Sequence, residues 1–214
     1  MRSKFDEQLV QLNEEMIKMG TMVEENIQRA IDALVKSDLK TAKEIMENDI
    51  LLDKKQRDIE GLCFNLLIQQ QPVAKDLRAI TAAMKMVTDM ERIGDHAADI
   101  SEMTIMLDGT GEKIGHETII KMAAEASVML IRSIDAFAEK DRNKASEVIA
   151  HDDIVDALFD DVKAELVNSI KQDANRGEKE IDMLMIAKYL ERIGDHATNI
   201  AEWVIFALDN RKAE

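Results

Sequence analysis

The sequence predicts an all-α fold, with six long helices arranged as two tandem three-helix bundle repeats. Three observations predict it. The 214 residues include only eight Gly and one Pro, against 46% apolar and 33% charged residues, a breaker-poor mixture rich in helix formers. Five Phe, one Tyr and one Trp are too few for an ordinary β-sandwich. Finally, the string ERIGDHA occurs at 91–97 and again at 191–197, the mark of an internal duplication.

The elements follow in order. Phe5, Leu9, Leu12, Met16, Met19, Val23, Ile27, Ala30 and Leu34 step by three and four, so residues 3–36 form one amphipathic helix. A second helix runs over 39–70. Pro72 ends it and suits the start of a third over 73–107. The loop DGTGEKIG at 108–115 is the best domain boundary. It separates a first repeat, 1–108, from a second, 115–214, with 109–114 as the link. Three more helices cover 116–139, 142–172 and 178–210, and QDANRG turns between the last two. The halves align: Ile31-Asp32-Ala33 matches Ile134-Asp135-Ala136, and Ala42-x-Glu44 matches Ala145-x-Glu147, both at an offset of 103. The last helices match at an offset of 100. ERIGDHA has diverged least.

Composition excludes several functions. The lone Cys63 permits no internal disulfide or multi-thiolate metal site, and its apolar setting, LCFNLLI, marks it as core. The opening MRSKFDEQLV has no apolar signal core, and no run approaches the ~20 apolar residues of a membrane span, so the cytoplasm is the expected compartment. A formal charge of −15 disfavours nucleic acid and bare anionic membrane. Work at a membrane would require a protein that holds the chain there.

The candidate site is acidic. Glu91 and Asp95 share one helical face, as do Glu191 and Asp195. Like charges at that spacing cost a few tenths of a kcal/mol, so helix stability does not explain keeping them. A solvated acidic face is the plain reading, and two observations argue against it. Asp49 and Asp53 in NDILLD match Asp152 and Asp156 in DDIVD at the offset of 103. In an antiparallel hairpin about Pro72, Asp53 lies level with Glu91 and Asp49 with Asp95. In the second half, Asp156 with Glu191 and Asp152 with Asp195 are centred inside QDANRG.

Each repeat thus sets four carboxylates at one height on adjacent helices. On the third helix, Ile80, Met84 and Val87 lead to Glu91 and Gly94, and a second stripe, Met86, Met90, Ile93, Ala97 and Ile100, packs elsewhere, as a three-helix bundle requires. Converging carboxylates need a compensating charge. A cation supplies it, and hard oxygen ligands suit magnesium, calcium, manganese or iron, with zinc also open. Arg92 and Arg192 offer a purely structural compensation instead. His96 and His196 lie about 100° further round the helix, placed for polar packing or for supporting ligands. Asp99 extends the acidic line, but its counterpart is Asn199.

These residues resemble the PhoU family of phosphate-transport accessory proteins. That family is built of two three-helix repeats carrying paired E(D)xxxD motifs that hold metal clusters. ERIGD at 91–95 and 191–195, DILLD at 49–53 and the Asp152–Asp156 pair fit the motif, and QQQPVAKDLRAI at 69–80 looks like the family's first-repeat helix entry. The resemblance covers essentially the whole chain. One departure is Arg78, whose counterpart is Glu178, so a role for Asp76 or Arg78 need not be symmetrical.

The resemblance implies a non-enzymatic cytoplasmic regulator, a homodimer peripheral to the inner face of the membrane. It implies contact with the ATP-binding subunit of the phosphate importer and with the sensor histidine kinase, repressing the starvation response and restraining uptake. It also implies divalent or trivalent metal ions, in multinuclear sites, on the eight acids. Two other classes remain open. A di-iron carboxylate enzyme would use Glu-x-x-His on inward-facing helices, but no Glu here has His three residues later. The single His151-Asp152 dipeptide resembles metal phosphohydrolases but is not repeated. A metal-free helical adaptor is the third reading.

Overall fold

The computed structural model describes residues 2–69, 72–108 and 117–209. Six helices carry them: α1 (Arg2–Lys36), α2 (Leu39–Gln69), α3 (Ala74–Asp108), α4 (Glu117–Glu139), α5 (Arg142–Gln172) and α6 (Gly177–Leu208), with a 3₁₀ turn, Ala174–Arg176, before α6. Each agrees with the sequence expectation to within two residues at its described ends. The expected linking loop at 109–114, and Gln70 and Gln71 before Pro72, lie outside the described residues.

The turns explain the spacing. At α1–α2, Ser37 takes φ 54°, and at α4–α5 the equivalent Lys140 takes φ 55°, a left-handed conformation that lets the chain reverse in two residues. The following aspartates cap the next helices. Asp38 accepts from the backbone N–H of Lys40 and Thr41, and Asp141 from those of Asn143 and Lys144. In QDANRG, Asp173 stays extended and accepts from the Asn175 N–H.

Each repeat is a three-helix bundle. α1 packs on α2 and α3, and α4 packs on α5 and α6. The repeats join through α3 against α6 and α1 against α4, leaving α2 and α5 outermost. The anticipated α1 stripe is buried from Phe5 to Leu34, with Leu9 partly so. On α3, Met86, Met90, Ile93, Ala97 and Ile100 are fully buried, as are Ile80 and Val87 on its other side. Cys63 is a core thiol, and burial pushes its pKa up to about 12.

One core position differs between the halves. Ile80 is buried on α3, while its counterpart Glu180 is 1% exposed on α6. The buried carboxylate accepts from Ser169 Oγ at 2.6 Å and pairs with Arg176 Nη2 at 3.1 Å. It ties the end of α5 to the start of α6, and nothing in the helical periodicity announced it.

Candidate metal centre

The hairpin register predicted from the sequence brings the first group of acids together. Among the described residues, Asp49, Asp53 and Asp95 each offer an oxygen, all within 4.8 Å of one another. Glu91 is close enough to feel all three: burial raises its pKa, and the charges of Asp95, Asp53 and Asp49 raise it further against the pull of Arg92. Burial, then Asp95 and Asp53, pushes Asp49 up to about 6.

The second group is looser. Asp152 is also pushed up to about 6, first by burial and then by Asp156 and Asp195. Asp195 is raised by burial and by Glu191, with Lys188 pulling the other way. No three of these four bring ligand atoms within the same 4.8 Å. Lys188, whose ammonium pairs with Glu191, is one physical difference. Its counterpart in the first repeat is Thr88, whose hydroxyl donates to the Met84 carbonyl.

Gly94 and Gly194, at the centre of each ERIGDHA copy, permit the approach. A Cβ on Gly94 would sit 2.5 Å from Leu52 Cδ1 and 3.8 Å from Asp49 Oδ1. On Gly194 it would meet Asp152 Oδ1 and Val155 Cγ1, both at 3.4 Å. The glycine removes a side chain where α2 or α5 must come close.

Arginine compensation is present in part. Arg92 Nη1 lies 3.1 Å from Asp95 Oδ2 and its Nε 3.7 Å from Glu91, while Arg57 lies 3.8 Å from Asp53. Asp49 and Asp152 have no ion pair among the described residues, and these are the two acids pushed furthest up. A cation bridging to them would remove the cost that burial imposes. The all-carboxylate donor set fits hard cations.

The histidines go elsewhere. His96 is buried at the α3–α6 crossing, its Nδ1 3.2 Å from Asp99 Oδ2, with its ring stacked on Tyr189 and 5.7 Å from the ring of His196. Burial lowers its pKa. His196 Nδ1 lies 2.9 Å from Asp89 Oδ1 on the opposite helix, and Asn199 Nδ2 donates to the same oxygen. Asp89 is thus a site neighbour that the sequence reading missed; its counterpart is Tyr189, so the repeat comparison concealed it. His151 Nε2 is 2.7 Å from Glu125 Oε2, a bond between α5 and α4 rather than part of an Asp152-based centre.

A duplicated three-helix protein with one acidic quartet between the second and third helices of each repeat is the class these features define. The PhoU domain model matches residues 16–104 and 119–204, and the chain belongs to the PhoU family. It is 38% identical to the phosphate-specific transport system accessory protein PhoU homolog of Clostridium acetobutylicum, over 100% of this chain and 98% of that one. It is 33% identical to the homolog of Pseudomonas aeruginosa, over 95% and 84%. The crystal structure of PhoU from Pseudomonas aeruginosa superposes with a TM-score of 0.92 at 32% identity, covering 95% of this chain and 98% of that one. The phosphate transport system regulatory protein PhoU from Streptococcus pneumoniae gives 0.87 at 27% identity, over 95% and 96%. These relatives are described as accessory or regulatory proteins, not as enzymes.

Proposed function

We propose that this chain is an accessory regulator of phosphate transport that works by protein contact and holds metal ions on its two acidic quartets. Relatives carrying that description over the full length of the chain support the regulatory role. The observation that carries the metal reading is the first quartet, with three carboxylates within 4.8 Å and Asp49 uncompensated. Asp49, Asp53, Glu91 and Asp95 would hold one site and Asp152, Asp156, Glu191 and Asp195 the other. A bound cation would supply charge neutralisation and locally invert the acidic surface potential.

The partners in this reading are the ATP-binding subunit of the phosphate importer and the sensor histidine kinase. The chain works as a homodimer at the inner face of the membrane, held there by those proteins, and no described helix is long and apolar enough to cross the bilayer. Deleting the protein should leave the phosphate-starvation response active in rich phosphate, and quartet variants should reproduce that partly or wholly. A deletion strain that still represses the response normally in rich phosphate would overturn the regulatory assignment.

A further inference from the structure

We propose that the cleft between α3 and α6 binds inorganic hydrogen phosphate, held by Arg92 and Arg192, one from each repeat. This deepens the regulatory reading by giving it an effector, and it rests on that reading for its biological meaning only.

ERIGDHA has two working faces. Glu and Asp turn to the quartets; Arg and His, four residues apart, share another face. Because α3 packs on α6, the two Arg-x-x-x-His pairs converge on one cleft of about 590 Å³, whose lining includes Arg92, His96, Arg192, Asp195, His196 and Asn199. In a chain with a formal charge of −15, Arg192 is exposed and has no ion pair or hydrogen bond among the described residues. The neighbouring acids are engaged: Asp99 with His96, Asp89 with His196 and Asn199, and Asp195 within its quartet. The Arg192 fork suits a tetrahedral oxyanion, gripping it through two oxygens, and Arg92, whose Nη1 and Nε also face Asp95 and Glu91, adds its remaining N–H groups.

His96 sets the choice of anion. Its Nδ1 faces the Asp99 carboxylate, which only accepts, so Nδ1 carries a proton, and in the neutral ring Nε2 is then an acceptor. Nε2 is buried without a hydrogen-bond partner among the described residues. An oxyanion that carries its own O–H satisfies it. Inorganic phosphate retains at least one P–OH at neutral pH. A phosphate monoester, with a second pKa of about 6, is mostly dianionic there, and sulfate has no proton to donate. A site with a buried group awaiting a donor rejects ligands that lack one.

Calorimetric titration of chelator-stripped protein at pH 7 and fixed ionic strength tests this. Inorganic phosphate should bind saturably, one per chain, with glycerol 3-phosphate and sulfate at least about tenfold weaker. Arg192→Gln should weaken phosphate at least about tenfold, and Arg192→Lys, which keeps the charge but not the fork, should fall between. Arg192 is exposed, so an unchanged melting curve checks that the variants fold. Arg132→Gln, at an exposed arginine of α4 outside the cleft, should bind phosphate as the wild type does. Each of four results would overturn the proposal: no saturable phosphate binding, sulfate or the monoester binding as tightly, indifference to Arg192→Gln, or binding seen only after metal is restored. A deletion strain that represses normally would sink the regulatory reading while leaving the titration result intact.

Discussion

Gly94 and Gly194 hold the same place in the two ERIGDHA copies but differ in how much room they leave. A Cβ at 94 would lie 2.5 Å from Leu52 Cδ1, and Leu52 is itself buried. Overpacking of that kind costs roughly 1–3 kcal/mol, more than the up to ~1 kcal/mol that Ala gains over Gly in a helix. At 194 the closest contacts are 3.4 Å, so propensity prevails. Urea unfolding should find Gly94→Ala destabilised and Gly194→Ala neutral or more stable; equal losses would refute the packing argument. The raised aspartates make a separate prediction for metal-stripped protein. Asp49 and Asp152 move from an ordinary 3.8 to about 6 in the folded state. Stability linked to their protonation is fully present below about 3.8 and is lost as pH rises through about 6. His96, lowered by burial, acts in the opposite sense, because as pH falls its unfolded ring binds a proton first. Comparison with Asp49→Asn/Asp152→Asn isolates the aspartates. Going from pH 5 to pH 7 should lower the wild-type Tm by a few degrees more than that of the double variant, and parallel profiles would contradict the assignment.

The helices begin where Asp38 and Asp141 cap them, at matched points of the two repeats. Asp38→Ala and Asp141→Ala should each cost about 1 kcal/mol. Because they serve different repeats, their double variant should cost close to the sum in urea unfolding, whereas a double loss no larger than one single would mean the caps are coupled. Helix extents were legible because apolar steps of three and four and a single proline leave few alternatives for a chain this poor in glycine. The first quartet was legible too, since hairpin symmetry about Pro72 converts sequence position into height. What stayed hidden depends on contacts between elements. Ser37 and Lys140 carry positive φ without being glycine, so no residue type marked those turns. Lys188 beside Glu191 and the buried Glu180 have unlike counterparts, so comparing repeats could not flag them. The histidine pairing across α3 and α6 arises from how the repeats dock, which periodicity within one helix does not encode.

The two bundles share a core along α3–α6 and α1–α4, yet each quartet draws its carboxylates from the helices of one repeat, α2 with α3 or α5 with α6. If the quartets hold metal as proposed, the two sites should therefore fill separately. The second is looser and has Lys188 competing for Glu191, so the first should retain its ion more firmly under chelation. The most direct measurement is elemental analysis of the purified protein beside two variants, Asp53→Ala/Glu91→Ala and Asp156→Ala/Glu191→Ala. The wild type should carry metal at both sites, and each variant should lose the metal of its own repeat while keeping the other. Wild-type protein with no metal above the buffer level would contradict the assignment of the quartets.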